Sequence, residues 1–229
     1  MSTAALLLAA GESRRMGRLK ALLPWEGTSL IEYQIHQLRE AGIDQVLVAL
    51  GHAAADLLPL VAAIPGVEPL VNPDYISGKA SSIRLAMTHL SPQAEALTVL
   101  AVDQPRPASV LRRLLSEHTE RQALISVPTY KGRRGHPTII ARAVFSELAT
   151  VSEKGQGLRR VMGLHDNRIQ EVAVEDPTVV LDLNTPADYI RGLRLLGGAD
   201  LVNIEERSAE LGLSPTPLPE SRQKPQKIP

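Results

Sequence analysis

The chain has 229 residues, with 25 basic and 25 acidic side chains, six histidines and no cysteine. That length supports one core, or at most two, while zero formal charge supplies no general field toward nucleic acid or an anionic membrane. The lack of cysteine excludes disulfides, thiolate metal sites and cysteine nucleophiles together, and an aromatic content of 3% leaves few platforms for stacking single-stranded bases.

In chain order, an apolar run at residues 4–10 predicts a first buried strand that breaks at Gly11. Thr28 or Ser29 is placed to cap a helix to about Ala41, with Glu32 completing a capping box from Ser29 and Gly42 just past the end. Gln45–Leu50 reads as the second strand and residues 53–63 as a helix closed by Pro65-Gly66; Val67–Val71 reads as a strand leading to an Asn72-Pro73-Asp74 turn. A third helix spans about 79–90, the most apolar strand 97–102, and the next helix starts at Pro107 and runs to about His118. After a strand at 123–127 the rhythm changes. Residues 130–137 are glycine-rich and basic, then come a strand at Thr138–Ala141, helices at 142–148 and 157–162, a strand at 168–174, and a last helix at Pro186–Leu196.

To about residue 128, short aliphatic runs alternate with helix-length amphipathic stretches, which is the pattern of βαβ units. The chain therefore reads as a three-layer, Rossmann-like α/β domain, an open and mostly parallel sheet with helices on both faces, over residues 1–197. Residues 198–229 form an extension, with one short helix at 201–211 and a proline-rich stretch from Ser214 that suits a docking arm. No basic run precedes the short apolar amino-terminal stretch, which is too brief to span a bilayer, so a cytoplasmic protein is expected.

The segment after the first strand, residues 8–24, holds Gly11, Gly17, Ser13, three arginines and Lys20. It is not a P-loop, because five residues separate the two glycines, Lys20 comes three residues after Gly17, and Ala21 follows it. Nor is it a dinucleotide fingerprint, since position 13 is Ser. What remains is a backbone cradle closed by cationic side chains, with a solvated basic turn as the alternative.

Asp103-Gln104-Pro105 follows the 97–102 strand, at the sheet edge where the Gly11 loop must also lie. A carboxylate there suits Mg2+ held together with nucleotide phosphates; helix capping is the alternative. In strand geometry Asp182 and Asn184 share a face and could approach the same metal, although Asn184 or Thr185 before Pro186 is also a good helix start. Gly78-Lys79-Ala80-Ser81-Ser82 opens the third helix with small residues that let backbone donors reach a base or phosphate; Ser77 capping is the alternative. Arg133-Arg134-Gly135-His136-Pro137 is a hairpin-like basic segment that fits either an anionic acceptor or a solvated loop. The histidines lack metal-ligand spacing, and Ser13 has no Ser-His-Asp context.

Taken together, residues 8–24, Gly78 to Ser82, Asp103-Gln104-Pro105, Gly135-His136-Pro137 and Asp182 to Pro186 resemble the MobA-like nucleotidyltransferase family, over about residues 4–196. The set is most similar to its molybdenum cofactor cytidylyltransferase branch, in which the position of Asn184 is often Asp. The resemblance implies a nucleotide-diphospho-sugar transferase-like fold and transfer of CMP from CTP to the phosphate of molybdenum cofactor, with Mg2+ and release of pyrophosphate. Guanylyl transfer, a sugar-phosphate acceptor, or a cofactor-carrying maturation protein for a molybdoenzyme are the alternatives. By resemblance Leu8, Ala10, Gly11 and Gly17 carry the nucleotide loop, Arg15 faces the triphosphate and Lys20 the α-phosphate. Asp103 binds metal with Asp182 and Asn184, Gly78 and Ser82 read the base, and His136 meets the acceptor. Neither nucleic acid nor membrane is an expected partner.

Overall fold

A computed structural model describes residues 2–196; the expected helix at 201–211 and the arm from 214 lie outside them. The strands are β1 (Thr3–Ala9), β2 (Pro24–Trp25), β3 (Thr28–Ser29), β4 (Gln45–Leu50), β5 (Val67–Val71), β6 (Ala96–Ala101), β7 (Ile125–Tyr130), β8 (Arg133–Arg134), β9 (Thr138–Ala141) and β10 (Ile169–Ala173). The α-helices are α1 (Leu30–Glu40), α2 (Ala54–Ala62), α3 (Lys79–His89), α4 (Ala108–Glu120), α5 (Phe145–Leu148), α6 (Leu158–Leu164) and α7 (Pro186–Leu196).

β1 is apolar from Ala4 to Ala9 because both its faces are covered. Ala5, Leu7 and Ala9 pack with residues of α1, α2, α4 and α7, whereas Ala4 and Leu6 pack with residues of α3, α5 and α6. That alternation sets the three layers. The sheet runs β10-β7-β9-β6-β1-β4-β5, with β8 paired to β7 as its eighth strand. β5, β4, β1 and β6 are mutually parallel, as are β7 and β10.

β9 departs from the parallel pattern. The chain reverses after β7 at Lys131 and Gly132, both at positive φ, the conformation a two-residue hairpin needs. It then returns antiparallel between β6 and β7. A second hairpin, β2 with β3, turns at Glu26 and Gly27, again both at positive φ. It carries Trp25, which is buried against Tyr33 and Tyr189. The capping box at Ser29 forms as expected: Glu32 N–H donates to the Ser29 hydroxyl at 3.4 Å and Ser29 N–H to the Glu32 carboxylate at 3.0 Å.

The chain proceeds from β1 to β4 and β5 on one side, and α3 then carries it to β6 on the other. Connections from the neighbouring strands β1 and β6 thus leave in opposite directions. This opens a crevice at their carboxyl ends, the place where open α/β sheets bind ligands.

One buried group makes folding sensitive to acid. His118 of α4 is 2% exposed, with Nδ1 hydrogen-bonded to Ser126 Oγ at 2.8 Å and Nε2 without a partner. Burial pulls its pKa down to about 4. The unfolded chain takes up this proton near the ordinary value of about 6.5. His118 therefore leaves stability intact above about pH 6.5, and stability falls as pH drops toward 4. Urea unfolding across that window is expected to show a loss of roughly 3 kcal/mol from this group, and His118→Gln to flatten the slope. An identical slope in the variant would assign the loss to other groups.

Candidate active site

The loop after β1 is shaped by two left-handed residues, Ser13 (φ 54°) and Gly17 (φ 70°), flanking a single 3-10 turn at Arg14–Met16. Met16 is buried in the core and anchors the turn. The Ser13 hydroxyl accepts the Lys20 backbone N–H at 3.1 Å and closes the loop on itself.

Lys20 is largely buried, and its ammonium donates to Asp103 Oδ2 at 2.7 Å and to Asn184 Oδ1 at 3.0 Å. Arg15 donates to the same amide oxygen at 3.0 Å. Asp103 stands two residues past the end of β6 and does not cap α4, whose N-cap is Pro107. The helix-start role before α7 falls to Thr185. Its hydroxyl accepts the Asp188 N–H at 3.2 Å, while the Asp188 carboxylate accepts the Thr185 N–H at 3.0 Å. Asn184 is left to face the two cations.

The strand geometry expected for Asp182 and Asn184 is not what forms. They follow a 3-10 turn at Pro177–Val180, and the N–H of Asn184 bonds back to the Asp182 carbonyl at 3.1 Å. Gln104 is what draws Asp182 in. Its side-chain oxygen accepts the Ala101 N–H at 3.1 Å and its amide donates to Asp182 Oδ1 at 2.9 Å. Leu183 N–H completes the link to the Asp103 carbonyl at 2.8 Å.

Beneath this sits Arg106, fully buried and unnoticed in the sequence. Its guanidinium donates to the carbonyls of His136 (2.8 Å), Pro105 (2.8 Å), Val179 (3.0 Å) and Leu181 (3.0 Å). Burial lowers its pKa to about 10, opposed chiefly by Asp182, so it keeps its charge at neutral pH. Gln34 of α1 adds a donor to the Gln104 carbonyl at 2.6 Å. Only glycine fits at position 135, because a Cβ there would come within 2.1 Å of the Val179 carbonyl oxygen.

Leu8, Ala10, Gly11, Lys20, Gly78, Ser82 and Asp103 line one cleft of about 220 Å3. Gly17 closes the adjacent turn instead of lining that cleft. A larger cavity of about 730 Å3 adjoins it through Leu8, Gly78, Lys79 and Ala101, and His136 lies on its wall. Loss of solvent around the His136 ring, reinforced by the Arg106 charge, holds its pKa below the ordinary value, so the imidazole is neutral at neutral pH. Arg134 turns away from this cavity, to Asp166 and Glu171. The Gly78-to-Ser82 segment is capped by Gly78 and not by Ser77, whose hydroxyl donates to the Asp74 carbonyl at 2.8 Å. Ser82 and Ser81 both accept from the buried Asn72 amide, at 3.0 Å and 2.8 Å.

Asp103, Asp182 and Asn184 offer only oxygen donors, the chemistry of a hard cation. Among the described residues no group of three or more His, Cys, Asp or Glu gathers as a metal cluster. Two carboxylates suit a Mg2+-type ion that draws its other ligands from phosphate and water. Asn184 Oδ1 already receives two cationic donors and so fits that shell less well than the carboxylates. No helix among the described residues is long and apolar enough to cross a membrane.

Residues 5–172 match the family model described as "MobA-like NTP transferase domain". Over 186 residues the chain is 25% identical to molybdenum cofactor cytidylyltransferase of Escherichia coli, covering 81% of this chain and 92% of that protein. It is 34% identical over 166 residues to nicotine blue oxidoreductase of Paenarthrobacter nicotinovorans, covering 67% and 78%. Identity is 38% over 117 residues to molybdenum cofactor guanylyltransferase of Xanthomonas euvesicatoria pv. vesicatoria, covering 51% and 55%. Among solved structures, Rv0371C of Mycobacterium tuberculosis H37Rv in complex with manganese superposes with a TM-score of 0.68 at 32% identity, covering 85% of this chain and 99% of that one.

Proposed function

The chain belongs to the MobA-like NTP transferase family, and from that premise we propose that this nucleotidyltransferase moves CMP from CTP to the phosphate of molybdenum cofactor. The observation that carries the reading is the Lys20 ammonium, held between Asp103 and Asn184 at the crevice where β1 and β6 end. A lysine fixed there, with Arg15 on the same amide, is a preorganised cationic wall for a triphosphate.

In the transfer, an acceptor phosphate oxygen forms a bond to the α-phosphorus, and the bond to the oxygen bridging to the β-phosphate breaks. The electron pair leaves with pyrophosphate. The work for the protein is alignment and charge neutralisation. Lys20 meets the charge on the α-phosphate oxygens, Arg15 the outer phosphates, and the amino end of α3 at Gly78 and Ser82 meets the base. Neutral His136, on the wall of the adjoining cavity, hydrogen-bonds the acceptor. Asp103 and Asp182 would hold Mg2+, which when bound withdraws charge from the phosphates.

The relative named for an oxidoreductase does not redirect this reading. The β1 loop carries Ser13 where a dinucleotide fingerprint requires glycine. The test supplies molybdenum cofactor and Mg2+ with each NTP in turn and measures pyrophosphate. CTP is expected to give the largest kcat/KM. Preference for GTP would overturn the choice of base, and no release with any NTP would overturn the reading altogether.

A further inference from the structure

Of the four carboxylate oxygens of Asp103 and Asp182, the chain itself occupies two. Asp103 Oδ2 accepts from the Lys20 ammonium at 2.7 Å, and Asp182 Oδ1 accepts from the side-chain amide of Gln104 at 2.9 Å. Asp103 Oδ1 and Asp182 Oδ2 have no hydrogen-bond or ion-pair partner among the described residues. The Gln104 amide is aimed by its other end. The Ala101 N–H, 3.1 Å away, only donates, so it faces the amide oxygen and turns the nitrogen to Asp182. Gln104 is 7% exposed and its backbone is held as well. Its N–H donates to the Ala101 carbonyl at 2.9 Å, and its carbonyl accepts from the fully buried Gln34 at 2.6 Å. Gln34 in turn accepts the Arg106 N–H at 3.3 Å.

Asp182 has no such support of its own. It lies outside any strand, between the 3-10 turn at Pro177–Val180 and α7. Gln104 is the one side chain among the described residues to which its carboxylate is hydrogen-bonded. A carboxylate on such a segment loses rotamer freedom when it takes an ion, and a partner that orients it beforehand removes that cost. The amide is suited to this task because it fills one oxygen, leaves the other, and carries no charge of its own to oppose a cation. We infer that Gln104 is a positioning residue, holding Asp182 by one oxygen so that the second is left for the divalent cation. The inference rests on the metal site proposed at Asp103 and Asp182.

The test titrates Mn2+ alone, without nucleotide or acceptor, into the full chain and follows loss of the free-ion paramagnetic resonance signal. It compares the wild type, Gln104→Met, Asp182→Asn and the double variant. Gln104→Met is expected to weaken Mn2+ binding about 10- to 100-fold, the range for losing a group that orients a metal ligand. Asp182→Asn is expected to weaken it at least as much. With Asp182→Asn in place, Gln104→Met is expected to add less than about twofold, since the ligand it orients is already gone. A residue that only braced the turn would impose the same loss in both backgrounds. Gln104→Asn, an amide one methylene short of the span, is expected to fall between and carries the comparison if the methionine variant does not fold. Wild-type affinity in Gln104→Met, or equal losses in both backgrounds, overturns the inference while the proposed function stands. A wild type that takes up no Mn2+, or an Asp182→Asn variant that binds it as the wild type does, removes the metal assignment and the inference together. Pyrophosphate release with each NTP judges the transfer separately.

Discussion

Replacing Lys20 with methionine is expected to lower kcat for nucleotidyl transfer a hundredfold to a thousandfold while KM for CTP changes by only a few-fold. Methionine keeps the buried stem of the side chain and deletes the charge. The ammonium is held at 2.7 Å from Asp103 and 3.0 Å from Asn184, next to the turn proposed to face the triphosphate. A fixed cation lowers the barrier more than it aids ground-state binding, because negative charge on the α-phosphate oxygens is redistributed during transfer. Loss of the ion pair leaves Asp103 without its cation, at a stability cost of about 1–3 kcal/mol that a domain of this size tolerates. Pyrophosphate release, with far-ultraviolet circular dichroism as the check on folding, reads both parts. A folded Lys20→Met enzyme with kcat within threefold of wild type would remove Lys20 from the chemistry.

Arg106→Met is expected to produce the largest loss of stability, about 4 kcal/mol, and a fall in Tm of roughly 10 °C. Methionine fills most of the volume but abandons the carbonyls of Pro105, His136, Val179 and Leu181, three of which, those of Pro105, Val179 and Leu181, belong to buried residues. Each orphaned acceptor carries a desolvation penalty. Arg106→Lys keeps the charge but cannot span the same carbonyls, since a compact ammonium replaces a planar fork. It is expected to recover less than half of the loss. Thermal unfolding of the three proteins at one pH decides the matter. A methionine variant as stable as wild type would show that the segments around His136 and Leu181 are held by their other contacts.

The βαβ rhythm was legible because its signals are local. The apolar β1, the Ser29–Glu32 box and the bounds of β4, β5 and β9 follow from side-chain periodicity and capping chemistry within a few residues. The direction of β9 was not, because it depends on a reversal at Lys131 and Gly132 and on which gap in the sheet stays open. The loop from Gly11 to Lys20 and the acid at position 103 could be placed on one edge of the sheet from the strands that precede them. That Asp103 and Asn184 converge on the Lys20 ammonium from 83 and 164 residues away, with Arg15 joining the same Asn184 oxygen across 169, could not.

What the sequence determined by itself is the list of chemical groups and the sheet edge that presents them, since the places of the strands along the chain, and of the loops that follow them, are read from local apolar pattern. Which groups touch was decided only by tertiary structure. Arg106 looks like any arginine between two prolines, and Glu153, whose carboxylate accepts the Ala80 N–H at 2.8 Å, like any glutamate in a polar loop. Their roles come from carbonyls and N–H groups of distant segments, and a backbone acceptor or donor has no letter in the sequence. Long-range hydrogen bonds to the main chain are therefore the part of this site that folding alone revealed.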